Sequence, residues 1–247
     1  LAVILANFFN SFKSVGGSSE SYFWLNNTGS LLNQTICGLF TGIPNYIMVP
    51  IAAKMVKKWG ARATSIIAGL FGFFAYMTLF FVGFHPFGQT FKDHYIFNLI
   101  WVIFGLTICG LPNKILNVSG QIVTAEALDY MEWKHGLRNE ALVTTVQGYF
   151  GKLATSVTGW LSGMVLTWIN YVPLTDSLGN AVPQTDPTML NGIWAVFCIL
   201  PALARGLYGV SFIIYPIHGD LQQQMIIERA EKRAQRLAEQ EAKDHQA

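Results

Sequence analysis

An all-α membrane protein, a bundle of six transmembrane helices, is the fold class that three observations on this 247-residue chain predict. Charged residues make up 12% of it and hydrophobic ones 52%, about half the charged share of roughly 25% usual for a soluble domain. Six stretches are apolar over the ~20 residues that a helix needs to cross the hydrocarbon. Lysine and arginine gather in every second link between those stretches, which is the pattern of a multi-pass protein whose basic links stay inside.

The first expected span covers residues 1–15. It begins at Leu1 with no basic segment before it, so it reads as a helix entered part-way and not as a signal peptide. The others are expected at 31–53, 64–84, 96–119, 141–169 and 190–217. Gly38, Pro44, Pro50, Gly110, Pro112 and Pro201 fall inside them, as is common in membrane helices. The link after the second span carries Lys54, Lys57, Lys58 and Arg62, and the link after the fourth carries Lys134 and Arg138. The intervening links, 16–30, 85–94 and 170–188, hold only Lys92. These assign the basic links and the C-terminus to the cytoplasm. Two domains follow: a transmembrane unit over 1–217 and a polar cytoplasmic tail over 218–247, rich in Glu, Gln, Lys and Arg.

Charges placed where hydrocarbon makes them costly are the candidate functional residues, because such groups face a cavity, a partner or the bundle interior. Lys152 lies near the middle of the fifth span, with Thr144, Gln147, Gly148, Gly151 and Thr155 on the same helical face. That stripe suits a wet cavity for a hydroxylated solute, with Lys152 and Gln147 as hydrogen-bonding groups; a structural ion pair is the bland alternative. On the fourth span Asn113, Lys114, Asn117 and Gln121 form a second polar stripe behind the Gly110-Leu111-Pro112 break. The two stripes are expected to face each other across a cavity. Arg205 follows Pro201 and reads equally as a cavity charge or as a charge with a buried partner, whereas Lys13 is expected near the outer interface. Asn7 and Asn10 are weaker candidates. Gly159 and Gly163 form a GxxxG pair that permits close helix approach.

Other classes find little support. Cys37, Cys109 and Cys198 sit singly in apolar runs, without metal-ligand or disulfide spacing. There is no HExxH, GxSxG or phosphate-binding loop, so no catalytic residue, enzymatic activity, metal or cofactor is expected. The scattered basic residues give no nucleic-acid face. Between the fourth and fifth spans lies a dense polar link, from Asp129 through Glu132 and Lys134 to Arg138, which reads as a salt-bridging cytoplasmic gate.

The run from Glu126 through Asp129, Tyr130, Glu132, Trp133, Lys134, Gly136 and Arg138 to Glu140 resembles a family signature, D-x-x-D-Y-x-E-[WY]-K-x-G-x-R-x-E. It belongs to the glycoside–pentoside–hexuronide:cation symporters, the melibiose-permease-like branch of the major facilitator superfamily. The likeness continues through Gln147 and Lys152 to Tyr171-Val172-Pro173 and the closing Tyr215-Pro216. It implies helices seven to twelve, the C-terminal half of a twelve-helix sugar or glycoside symporter in the cell membrane. Lys152 and Gln147 would then lie by the sugar. Asn117 replaces a tryptophan beside the sugar in melibiose permease, and Glu126 replaces the first aspartate of the signature. The coupling Na⁺ or H⁺ would be bound mainly by an absent N-terminal half, which becomes a partner along with solute and bilayer. Other organic solutes or lipids, and a six-helix channel or scaffold, are the alternative readings.

Overall fold

The computed structural model describes residues 2–82, 94–136, 139–177, 181–217, 219, 221–225, 227, 228 and 231. Its elements in order are α1 (Ala2–Ser11), α2 (Lys13–Thr28), α3 (Leu32–Phe81), α4 (Tyr95–His135), α5 (Glu140–Trp168), β1 (Leu174–Thr175), β2 (Ala181–Val182) and α6 (Pro187–Ser211). A short 3-10 turn, Phe212–Ile214, closes α6. Among the described residues, Leu32–Phe81, Tyr95–Lys134 and Pro187–Ile214 are long and apolar enough to cross a membrane.

The longest of these is two rods joined end to end. Gly60 interrupts α3 with φ 82° and ψ 159°, a backbone conformation that only glycine takes without strain. Contacts with α4 show that the chain reverses there. Asn33 and Asn45 on the first arm lie by Tyr95 and Gly110, so that arm runs with α4. Leu79 and Ser65 on the second arm lie by Gly105 and Ser119, so that arm runs against it. The second and third expected spans are therefore these two arms.

Local chemistry sets the other ends. Gly136 (φ 72°) terminates α4 with its N–H on the Glu132 carbonyl at 2.9 Å, a left-handed C-terminal cap. Asn139 starts α5 by accepting from the Leu142 N–H at 2.9 Å, with Glu140 in the first turn. Asp186 does the same for α6, accepting from the Thr188 N–H at 2.9 Å, with Pro187 as first helical residue.

Two expectations need correction. The stretch 16–30 is not an exposed link: α2 fills most of it, and Phe23, Trp24, Asn26 and Asn27 are buried there. The burial of Phe23 against Trp194 and Phe197 keeps it helical. The polar run from Asp129 is also not a loop up to His135, because α4 continues through it. At 1.5 Å per residue the 41 residues of α4 reach about 60 Å, twice the hydrocarbon thickness of about 30 Å. The last turns of α4 therefore stand outside the bilayer, where their charges are cheap.

Packing divides the core into two clusters. One joins Ala52, Val56, Ala68, Leu116, Val123, Tyr208 and Phe212. The other joins Phe23, Trp24, Cys37, Leu79, Cys109, Trp194, Phe197 and Cys198. All three cysteines are buried, as small core residues. The closest crossing is that of the second arm of α3 with α6. A Cβ on Gly69 would sit 2.6 Å from the Gly209 Cα, so the two backbones touch. Leu39, Ile43, Phe74, Phe97, Ile100 and Phe104 remain exposed, the outward apolar surface that a helix bundle presents to lipid.

Each end of the bundle has its own polar fastening. At one, the Asn33 amide donates to Tyr95 Oη (2.7 Å) and Thr28 Oγ1 (3.0 Å), and the Gln184 N–H donates to Asn26 Oδ1 (2.9 Å). At the other, Arg62 donates from Nε to the Phe212 carbonyl (3.1 Å) and from Nη2 to that of Ile213 (2.8 Å).

Candidate functional site

The described residues line a half-open polar cavity of about 420 Å³ between α2, both arms of α3, α4 and α6. Its charged lining is Lys13, Glu20 and Arg205, with Asn113, Tyr76 and Thr41 as further polar groups. Lys13, Gly16, Gly17 and Glu20 all line it, because residues spaced i, i+3, i+4, i+7 share one face of α2. A Cβ on Gly16 would lie 2.5 Å from the Pro201 ring, so α2 and α6 meet closely there, whereas a Cβ on Gly17 would meet nothing within 4 Å.

Arg205 is 3% exposed. Its stem lies against Gly72, where a Cβ would come within 3.1 Å of the arginine Cγ. Its Nη1 donates to Asn10 Oδ1 at 2.9 Å, while Nε is buried and finds no partner among the described residues. Asn113 Oδ1 is buried and unsatisfied in the same way. An orphaned buried polar atom costs about 1–3 kcal/mol, and Asn27, Asn45 and Thr64 carry such atoms elsewhere among the described residues. The Glu20 carboxylate accepts from Trp24 Nε1 at 3.4 Å.

The residues singled out in the sequence are distributed unevenly around this cavity. Asn113 lines it. Lys114 turns aside and holds its ammonium 5.0 Å from the Tyr46 ring centroid, a cation–π contact. Asn117 and Gln121 are exposed on α4, and Lys152 is exposed on α5 with Gln147 half-buried beside it. Helix α5 packs on α1 and α2, with Ala154, Thr158 and Val165 as its buried residues. The Lys152 and Asn117 stripes therefore lie on open surface, outside the lining of that cavity. A Cβ added at Gly148, Gly151, Gly159 or Gly163 of α5 would meet nothing within 4 Å, so the GxxxG pair makes no close helix contact among the described residues.

Lys13, expected at the outer interface, lines the cavity instead. Glu20 and Tyr76, not singled out in the sequence, line it as well, and Asn10 bridges α1 to α6 through Arg205, the helix-bridging role that made it a weaker candidate. The spacing of Lys13, Gly16, Gly17 and Glu20 was the legible signal, hidden once 16–30 was read as a link. For Arg205 both readings hold at once, since it lines the cavity and has Asn10 as its partner.

Near the end of α4, Glu126 accepts from Tyr215 Oη at 3.0 Å and from Gln222 Nε2 at 2.8 Å. Two turns on, Trp133 Nε1 donates to Glu228 at 2.6 Å. Lys134 Nζ lies 3.3 Å from Tyr130 Oη and over its ring. Asp129 and Glu132 are half-buried on the same helix. Arg138 and most of the tail lie outside the described residues.

Residues 1–219 match a family described as MFS/sugar transport protein. The chain is similar to a Bacillus subtilis protein named uncharacterized symporter YjmB, 29% identical over 215 residues, covering 87% of this chain and 42% of that one. A putative sulfoquinovose importer of Escherichia coli is 35% identical over 89 residues, 34% of this chain and 18% of the relative. An isoprimeverose transporter of Lactiplantibacillus pentosus is 27% identical over 123 residues, 49% of this chain and 24% of the relative. The chain thus spans less than half the length of these curated relatives.

Proposed function

Because the chain belongs to the MFS/sugar transport family, a family of membrane transporters and not of enzymes, we propose that it is the C-terminal half of a sugar or glycoside:cation symporter. The observation that carries this reading is the cavity around Arg205, a charged and hydrogen-bonding space inside an otherwise apolar helix bundle. Soluble-protein folding gives no reason to keep such groups there, whereas binding a hydroxylated solute does. The names of the relatives, a symporter, a sulfoquinovose importer and an isoprimeverose transporter, support a sugar-like cargo.

The transport cycle is alternating access. The exposed stripes, with Lys152 and Gln147 on α5 and Asn117 and Gln121 on α4, face an N-terminal half that completes the solute pathway. That half supplies most of the binding groups for the coupling Na⁺ or H⁺. Asp129, Glu132, Lys134, Arg138 and Glu126 form the cytoplasmic gate, whose pairs exchange between inward- and outward-open states. The C-terminus lies in the cytoplasm and the protein in the cell membrane, in accord with the basic links.

Uptake by vesicles carrying the complete transporter tests this, with pentosides, hexosides and hexuronides offered with and without Na⁺ or H⁺ gradients. Gradient-driven accumulation of one of them is the expected result. Failure of every sugar under both gradients would shift the reading to another organic solute or a lipid.

A further inference from the structure

A second hollow, at the end of α5, shares no described lining residue with the cavity around Arg205. It is built on Tyr171-Val172-Pro173, a motif to which the transport cycle gives no role. Resting on the transport reading above, we infer that this hollow is a capture site, in which the Tyr22 and Tyr171 rings receive one pyranose at the extracytoplasmic mouth.

The hollow measures about 470 Å³ and is bounded by Tyr22 on α2, Thr167 on α5 and the turn from Asn170 to Pro173. Its two tyrosine rings stand edge to face, 5.1 Å apart at 68°, and so make two walls of a corner. The face of an aromatic ring is electron-rich, and attracts the C–H groups that a pyranose carries on its flat side. Polar groups stand beside the rings. The Asn170 carboxamide and Tyr22 Oη have no hydrogen-bond partner among the described residues, and offer donors and acceptors to sugar hydroxyls. Apolar walls with a few polar groups are the make-up of small-molecule sites.

The corner is held in shape before any solute arrives. Asn170 takes φ 52°, a left-handed conformation that asparagine tolerates, and donates its N–H to the Thr167 carbonyl at 3.0 Å. The next N–H, of Tyr171, donates to the Leu166 carbonyl at 2.9 Å. Tyr171 Oη accepts from Asn26 Nδ2 at 3.4 Å, and the Gln184 side-chain amide donates to the Val172 carbonyl. A site ordered in advance loses less entropy on binding. Its place fits entry as well. Asn170 follows Lys152 by about five helical turns, or about 27 Å, and so stands on the same side of α5. On the transport reading that end lies away from the basic links, where solute arrives from outside.

Cysteine labelling of the complete transporter in right-side-out vesicles tests the proposal, with Val172→Cys as reporter and a membrane-impermeant maleimide outside. Val172 is exposed and the three cysteines of this chain are buried. Xylose and glucose serve as ring probes, and mannitol as a polyol without a ring. A site with a Kd of about 10 mM is half filled at about 10 mM sugar, so either sugar should slow labelling about twofold. Mannitol should leave it unchanged. Tyr22→Leu should abolish the protection, whereas Tyr22→Phe, which keeps the ring, should retain most of it. Asn170→Gly suits the left-handed backbone and decides the matter if Tyr22→Leu fails to fold. It should weaken protection and raise the KM of uptake about threefold with the maximal rate unchanged. No protection by either sugar, equal protection by mannitol, or protection that survives Tyr22→Leu overturns the capture site. So does a Val172→Cys protein that fails to label without sugar, since its hollow is then covered. Gradient-driven uptake in those cases leaves the transport reading standing. Ring-specific protection without gradient-driven uptake keeps the site and removes the transport reading.

Discussion

Arg205 on α6 and Lys152 on α5 both sit inside apolar helices, and the fold treats the two cations in opposite ways. Arg205 is enclosed, its stem laid on Gly72 and its guanidinium on Asn10. Lys152 is exposed, on a helix where a Cβ added at any glycine would meet nothing within 4 Å. A charge in an apolar run announces that something must compensate it, but not from which side. For Arg205 the compensation starts inside this bundle. For Lys152 it comes from whatever covers α5, which the transport reading takes to be solute and the N-terminal half.

The contrast predicts that the two regions fail differently. Lys152→Ala should lower gradient-driven uptake by about 100-fold or more, the loss of a charged hydrogen bond of up to about 3 kcal/mol. Membrane insertion and melting temperature should stay as they were, since the side chain supports no packing. Unimpaired uptake would remove Lys152 from the solute pathway and leave the cavity around Arg205 as the whole of the site in this chain.

Packing gives the mirror-image test. Gly69→Leu forces a side chain into the contact of α3 with Gly209 and should destabilise the bundle by about 3 kcal/mol or more. Gly159→Leu, on the open face of α5, should change stability by less than about 0.5 kcal/mol. Thermal unfolding in detergent reads both. Equal effects would mean that α5 is covered within this half.

The difference between the regions also explains what was legible. The long apolar helices α3, α4 and α6 follow from composition, because hydrocarbon penalises charge wherever it falls along the chain. The reversal at Gly60 was equally open to reading, marked by basic residues on either side. The inner cavity was not, since it is made by five rods meeting, and Lys13 and Arg205 are far apart in sequence. Nor was the helical character of 16–30: its serines, glycines and asparagines have low helix propensity, and burial of Phe23 and Trp24 overrides it. The end of α4 misled for the opposite reason, as charge there signals emergence from the bilayer and not the end of a helix.

The gate separates rate from affinity. Arg138→Ala should slow turnover about tenfold while solute affinity changes about twofold at most, because a residue that closes the cytoplasmic side acts on the passage between states and not on the bound solute. Stopped-flow uptake set beside equilibrium binding measures the two. Parallel losses would place Arg138 at the solute instead.

The smallest effect concerns Glu126, where the end of α4 meets the segment after α6. Its carboxylate takes hydrogen bonds from Tyr215 and Gln222, and Met225 is buried nearby in the same core. Glu126→Gln keeps one acceptor oxygen and loses the charge that strengthens both bonds, a cost of about 1 kcal/mol. That amount leaves the bundle folded but should loosen residues 221–225, which are helical in the segment after α6. Backbone amides there should exchange with solvent about fivefold faster, while those of α4 and α6 stay protected. Unchanged exchange would show that burial of Met225 holds the segment, and that Glu126 is free to serve the gate alone.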